Sequence, residues 1–179
     1  MIYLASASPR RRELLKEIIP DFRIVGSDAE EIADADPVFT VTQNAIRKAS
    51  AVGCGRGDTV IAADTVVWLE GRLLLKPRSE SEALAMLKSL AGRTHFVYTG
   101  YAIRTDSATV ADFDCSEVYI HPMTERQIAD YVATGSPMDK AGAYGIQDGF
   151  IKYDLKGSFS NVMGLPVEKL RNSLSLIGL

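Results

Sequence analysis

An acidic residue interrupts the most apolar strand that the sequence predicts. Asp64 lies in the middle of Thr59 to Trp68, a run of otherwise small, β-branched or apolar residues that is typical of a central strand. An ionised carboxylate in such a strand is costly unless a cation or hydrogen-bond donors compensate its charge. Asp64 is therefore a candidate catalytic residue, whereas the β-branched preference of strands is enough to explain Thr65 beside it.

Three arginines crowd the first turn of the first predicted helix. A short strand, Ile2 to Ala5, runs into a loop of small residues, and Ser8 stands where the residue before the helix is expected. The N-terminus of a helix carries about half a positive charge, so each arginine there costs roughly 0.3 to 1 kcal/mol unless an anion binds. Backbone N–H groups and arginines together form a phosphate site. An ordinary capped helix with a basic end is the alternative.

Helical spacing distinguishes the three arginines from one another. Arg10 and Arg11 lie one turn before Leu14 and Leu15 and so lean towards the buried side, whereas Arg12 is expected to be solvated. Arg10 and Arg11 are therefore the candidate phosphate ligands.

Further charged residues lie where they would face the same ligand. The helical pattern of residues 37–52 places Lys48 on the buried face, where it either extends to solvent along its own stem or meets an anion in a cleft. Lys76 follows the hairpin that begins with the strand of Asp64. The acidic loop at residues 28–36 is either solvated or supplies oxygen ligands for a divalent cation.

The composition is that of an ordinary globular chain. The 179 residues are 46% hydrophobic and 24% charged, with a formal net charge of −3, which argues against a nucleic-acid-binding surface. Cys54 and Cys115 are far apart and there are only two histidines, so neither a zinc site nor a disulfide is expected. No segment has the length of a membrane span or the pattern of a signal peptide. We predict one cytoplasmic domain over residues 1–179.

Local patterns predict strands and helices along the rest of the chain. Apolar periodicity, capping residues and glycines give the boundaries. A glycine-rich loop at residues 136–149 is long and partly apolar, which predicts an ordered, functional loop. The other expected elements are a strand at 22–25, a return strand at 73–75, a helix at 79–92, strands at 94–104 and 109–120, a helix at 124–135, a strand at 150–155 and a last helix from Pro166.

Five motifs, in this order, resemble the Maf family of nucleotide pyrophosphatases and together extend over nearly the whole chain. They are Leu4-Ala5-Ser6-x-Ser8-Pro9-Arg10-Arg11 with Glu13-Leu14-Leu15, Ala63-Asp64-Thr65, Lys76-Pro77, Asp139-Lys140-Ala141-Gly142-Ala143-Tyr144-Gly145-Ile146-Gln147, and Gly164-Leu165-Pro166. The resemblance implies a mixed α/β fold, an elongated mixed β-sheet with flanking helices and two lobes around a central cleft, similar to the inosine triphosphate pyrophosphatases.

The resemblance also implies an activity, the hydrolysis of a nucleoside triphosphate to the monophosphate and pyrophosphate with a divalent metal. Asp64 matches the proton acceptor of the family, and Glu30 matches an acidic position associated with its metal and active site. Lys48 and Lys76 match its cleft lysines. A homodimer is a further implication of the resemblance, whereas neither a nucleic-acid nor a membrane partner is expected.

Three positions separate the branches of this family by substrate, and here they hold Arg10, Thr65 and Gln147. This set resembles the branch that acts on dTTP and UTP rather than the branch that acts on 7-methyl-GTP. A glutamine amide offers an acceptor and two donors, which suits the N3–H and flanking carbonyls of uracil or thymine.

These observations combine into one hypothesis for the site. Mg²⁺ or Mn²⁺ is held by Asp64 and Glu30, and Asp64 activates a water that attacks the α-phosphorus. Two alternatives remain open: a nucleotide-binding regulator of septum formation with little hydrolysis, and a house-cleaning enzyme whose main substrates are modified nucleotides. The residues expected to hold the triphosphate are Ser6, Ser8, Arg10, Arg11, Lys48 and Lys76.

Overall fold

A computed structural model of the protein describes residues 1–179 and contains seven strands and six α-helices. None of the helices combines the length and apolarity that crossing a membrane requires. The strands are β1 (Ile2–Ala5), β2 (Arg23–Val25), β3 (Thr59–Leu69), β4 (Arg72–Leu74), β5 (Thr94–Thr105), β6 (Thr109–Ile120) and β7 (Tyr153–Lys156). The helices are α1 (Pro9–Lys16), α2 (Pro37–Ala51), α3 (Glu80–Leu90), α4 (Glu125–Ala133), α5 (Phe159–Met163) and α6 (Val167–Leu176).

All seven strands join one mixed sheet, in which β3 is central as predicted. The order is β2-β1-β3-β5-β6-β7, with β4 hydrogen-bonded to the far end of β3. Strand β1 runs parallel to β2 and β3, and the other pairs are antiparallel. The expected mixed α/β fold is confirmed.

The two neighbours of β3 on one side leave a gap between them. Strand β1 pairs with Thr59–Ile61 and β4 pairs with Val67–Leu69, so residues 62–66 pair only with β5. Asp64 and Thr65 lie in this gap, where the edge of a central strand opens onto a cleft.

The first half of β3 is covered by helices on both faces. Successive residues of a strand point to opposite faces, and accordingly Ile61 packs with Leu15 of α1 and Leu170 of α6, whereas Val60 packs with Ala45 of α2. These helices and strands form the first lobe.

The second half of β3 carries a different core. Val67 packs with Leu87 of α3, Ile128 of α4 and Tyr144 of the glycine-rich loop. His95 is fully buried in this lobe, where its Nε2 lies 2.7 Å from the Tyr144 hydroxyl oxygen. Because burial disfavours the charged imidazole, it lowers the pKa of His95 to about 4. This histidine is therefore a neutral packing residue at pH 7.

Most predicted elements are confirmed, and the differences are local. Thr124 and Gln127 form the reciprocal capping box of α4. Ser8 stands directly before α1, but its side chain accepts no capping hydrogen bond from the first turn. The strand predicted at 150–155 begins later, at Tyr153. Helix α5 was not predicted, because five residues are too few to display a helical period; its Ser158 cap and left-handed Gly164 at the end define it instead.

Candidate active site

A cleft of about 580 Å³ lies between the two lobes. Its walls come from the β1–α1 loop, the segment after β2, helix α2, the open edge of β3, the glycine-rich loop and the turn between α5 and α6. The cleft brings together all of the predicted site residues except Glu30, namely Ser6, Ser8, Arg10, Arg11, Lys48, Asp64, Thr65, Lys76 and Gln147.

The Asp64 carboxylate has the compensating partners that its position in a central strand requires. Its Oδ1 accepts from Lys48 Nζ at 2.7 Å, and its Oδ2 accepts from Asn44 Nδ2 at 2.9 Å. Lys48 and Asn44 are one turn apart on α2, so a single helix face supplies both donors. Asp64 is 7% exposed and lines the cleft.

Asn44 is a buried residue that the sequence reasoning missed. Besides Asp64, its amide binds the main chain of Ile32, accepting from the Ile32 N–H at 2.8 Å and donating to the Ile32 carbonyl at 2.9 Å. Asn44 therefore fixes the segment after β2 against β3. Its signal was present in the sequence, since it is a polar residue next to Val41 and Ala45 in an amphipathic pattern.

The acidic side chain beside Asp64 belongs to Glu31 rather than to Glu30. Glu31 Oε1 lies 2.6 Å from Lys48 Nζ and lines the cleft, although 57% of its side chain is exposed. Glu30 is also exposed and is not among the lining residues. Arg47 holds the Glu30 carbonyl at 3.4 Å on the outer side of α2. The two hydrogen bonds from Asn44 to Ile32 fix the main chain beside Glu31, whose carboxylate lies against Lys48.

Arg11 joins three parts of the first lobe. Its Nε donates to the Gly164 carbonyl at 2.8 Å, its Nη1 to Ser6 Oγ at 3.3 Å and its Nη2 to Thr65 Oγ1 at 3.1 Å. Burial lowers the pKa of the Arg11 guanidinium, and the nearby Asp64 carboxylate opposes this shift. Arg11 is thus a fixed cation on the cleft wall.

Arg10 reaches across the cleft to the second lobe. Its Nη1 donates to Asp139 Oδ2 at 2.8 Å, and Asp139 Oδ1 accepts from Lys140 Nζ at 2.9 Å. Burial by itself raises the pKa of Asp139. The hydrogen bonds from Lys140 and Arg10 outweigh this effect, so the pKa of Asp139 is lower than that of an ordinary carboxyl group. Arg12 is exposed, as its spacing predicted.

A partly buried polar network holds the loop that carries Gln147. Asp148 accepts hydrogen bonds from the Tyr131 hydroxyl at 2.6 Å and from Ser136 Oγ at 2.7 Å, and Ser136 in turn accepts from Lys140 Nζ at 2.9 Å. The predicted order of this loop has a physical basis in these contacts. Gln147 itself is exposed on the cleft wall.

The donor set fits a divalent cation that arrives with a phosphorylated ligand. The carboxylates of Asp64 and Glu31 both converge on one cationic point, the Lys48 ammonium, at 2.7 and 2.6 Å. No group of three or more acidic, histidine or cysteine side chains is placed to hold a metal alone. Mg²⁺ is commonly bound by one or two carboxylates together with substrate phosphates, which matches two convergent carboxylates in a cationic cleft.

A cleft between two lobes, lined by arginine and lysine side chains around one buried carboxylate, is typical of an enzyme that acts on an anionic ligand. The family model described as Maf-like protein matches residues 1–177. A dTTP/UTP pyrophosphatase of Thermococcus gammatolerans is 46% identical over 170 residues, which cover 94% of this chain and 92% of that relative. A dTTP/UTP pyrophosphatase of Clostridium perfringens is 43% identical over 182 residues, covering 97% and 95%. The chain belongs to the Maf family.

A solved structure supports the fold independently of these sequences. The Ham1 protein of Staphylococcus aureus superposes with a TM-score of 0.50 at 20% identity, covering 66% of this chain and 71% of that one. At this identity the likeness concerns the architecture, a mixed sheet with flanking helices.

Proposed function

We propose that this protein hydrolyses dTTP and UTP to the nucleoside monophosphate and pyrophosphate. The observation that carries the proposal is Asp64, a buried carboxylate held by Lys48 and Asn44 at the floor of a cleft lined by further cations. The family membership and the names of relatives that are more than 40% identical over nearly their whole length support the same reaction.

We assign the triphosphate to the cations of the cleft. Arg11 and Lys76 line the cleft near Asp64, and the loop that contains Ser6 and Ser8 leads into the N-terminus of α1. Main-chain N–H groups at such a terminus favour phosphate oxygens. Arginine adds a fixed planar donor set that fits the same oxygens.

Asp64 is the proton acceptor in the proposed mechanism. It takes a proton from the water that attacks the α-phosphorus, and a bond forms between the water oxygen and phosphorus. The bond from the α-phosphorus to the bridging oxygen breaks, and pyrophosphate leaves with the electron pair. Asn44 and Lys48 keep the carboxylate in position, while Arg11 and Lys76 stabilise the negative charge that develops on the phosphates.

Asp64 and Glu31 are the residues that would hold a divalent metal. When bound, the metal polarises the phosphoryl group as a Lewis acid. This assignment replaces Glu30 of the initial hypothesis by Glu31, because Glu31 is the residue that shares Lys48 with Asp64.

The base is assigned to the wall formed by Thr65, Gln147 and Arg10. The exposed Gln147 amide can donate to the carbonyl oxygens that flank N3 in uracil and thymine. Arg10 is tied to the loop that carries Gln147 through Asp139, and Thr65 lines the same cleft from β3.

The reaction is tested by pyrophosphate release from a panel of canonical and modified nucleoside triphosphates with Mg²⁺ or Mn²⁺. We expect dTTP and UTP to be converted to monophosphates with higher kcat/KM than CTP, ATP or GTP, the products being identified by chromatography. Preferred turnover of modified nucleotides would instead identify a house-cleaning enzyme. Tight nucleotide binding with no pyrophosphate release would contradict the proposed activity.

The metal assignment predicts different effects for two adjacent residues. Glu31→Gln should raise the Mg²⁺ concentration needed for half-maximal rate by about tenfold or more, since even outer-sphere partners of a metal contribute roughly that much. Glu30→Gln, with the same charge change one residue away, should leave it unchanged. Stabilisation of each variant by Mn²⁺ with a non-hydrolysable nucleotide, measured by thermal melting, provides a readout independent of turnover. The reverse order of effects would restore Glu30 as the ligand.

A further inference from the structure

A chain of hydrogen bonds runs from the cleft wall into the core. Arg11 Nη2 lies 3.1 Å from Thr65 Oγ1, which lies 3.0 Å from Thr99 Oγ1, which lies 2.8 Å from the Asn161 carbonyl oxygen. Thr65 and Thr99 are directly opposite each other on β3 and β5. Thr99 is fully buried and is not among the residues that line the cleft.

The two ends of this chain fix the direction of every proton in it. A guanidinium can only donate, so Thr65 accepts from Arg11; a carbonyl can only accept, so Thr99 donates its single proton to Asn161. Thr99 then has no proton left for Thr65. The Thr65 hydroxyl must therefore donate its own proton to Thr99.

The Thr65 hydroxyl therefore has no proton that it can donate to a ligand. One hydroxyl has one proton and two lone pairs, and here the proton points to Thr99 while one lone pair is occupied by Arg11. The second lone pair of Thr65 has no partner within the protein. Because Thr65 lines the cleft, this lone pair can accept a hydrogen bond from a ligand. Gly164 lies beside this hydroxyl, since a Cβ at that position would be 3.4 Å from Thr65 Oγ1.

We propose that Thr99 is a specificity-determining positioning residue, which makes Thr65 an obligatory hydrogen-bond acceptor towards the base. The inference rests on the proposed function for the placement of the base near Thr65. Uracil and thymine present an N3–H donor to such an acceptor, whereas cytosine presents the lone pair of its unprotonated N3. Two facing lone pairs leave both acceptors unsatisfied, so the site rejects cytosine.

The test compares the affinities of the α,β-imido analogues of UTP and CTP, which cannot be hydrolysed, by calorimetry with Mg²⁺. Thr99→Val keeps the shape of the side chain and removes its hydroxyl, so the Thr65 proton becomes available to the ligand. We expect the preference for the uracil analogue to fall by roughly tenfold. Thr99→Ser retains the hydroxyl and should keep the wild-type preference, which separates the hydrogen bond from packing.

A second comparison uses the unaltered protein, so it holds even where Thr99→Val fails to fold. The N3-methyl derivative of the UTP analogue, which has no N3–H, should bind at least roughly tenfold more weakly than the parent analogue. An unchanged uracil preference in folded Thr99→Val, or equal affinity of the wild type for the parent and the N3-methyl analogue, would overturn the assignment of Thr99. Because these are binding measurements, failure of the protein to release pyrophosphate would count against the proposed reaction alone.

Discussion

Replacing Asp64 by Asn is expected to lower kcat by roughly 10²- to 10⁴-fold, the range that a positioned general base contributes. Asn has the same shape and retains an oxygen that accepts from Lys48, but it cannot take a proton from water at neutral pH. Nucleotide binding should survive, because Arg11 and Lys76 remain in the cleft. Steady-state rates of pyrophosphate release with dTTP, together with the affinity for a non-hydrolysable analogue, separate the loss of catalysis from a loss of binding.

The fold of this variant needs its own measurement, since Asp64 is a buried partner of Lys48 and Asn44. Lys48 keeps a second carboxylate, Glu31, so the substitution does not leave its ammonium unpaired. Asp106→Asn, which makes the same change at an exposed position between β5 and β6, is the matched control and should have wild-type activity. Undiminished turnover in folded Asp64→Asn would remove Asp64 from the mechanism.

The sequence was most informative where one residue conflicts with its surroundings. Asp64 in an apolar strand and the arginines at a helix N-terminus each required a partner, and the structure supplies Lys48 and Asn44 for the first. Such conflicts are local, so they can be recognised without knowing the fold. The caps of α2, α3 and α4 are local in the same sense.

Long-range contacts explain what could not be predicted. The choice between Glu30 and Glu31 depends on Asn44, which clamps Ile32 from a helix twelve residues further along the chain. The pairing of Arg10 with Asp139 joins residues separated by 129 positions, and no spacing within either segment indicates it. Tertiary contacts of this kind decide which of two equally polar neighbours faces the cleft.

A tertiary contact also explains why residue 100 is a glycine, and replacing it is the substitution from which we expect the largest loss of stability. Gly100 pairs with Asp64 across β3 and β5, and a Cβ built on it would lie 2.5 Å from the main-chain carbon and oxygen of Val41 in α2. Backbone atoms of a helix cannot rotate away as a side chain does. Gly100→Ala must therefore push α2 off the sheet, and overpacking of this kind costs about 1 to 3 kcal/mol or more.

The same displacement should reduce activity, because α2 holds both partners of the Asp64 carboxylate. Val41 is one turn before Asn44 and two turns before Lys48, so a helix that moves away from Gly100 carries both donors with it. We expect a lower free energy of unfolding in urea and a lower kcat in the fraction that remains folded. Gly53→Ala, at an exposed glycine with no atom within 4 Å of the added Cβ, controls for the loss of a glycine. Wild-type stability and kcat in Gly100→Ala would mean that α2 does not rest directly on β5, and the close approach that places Asn44 and Lys48 at Asp64 would need another cause.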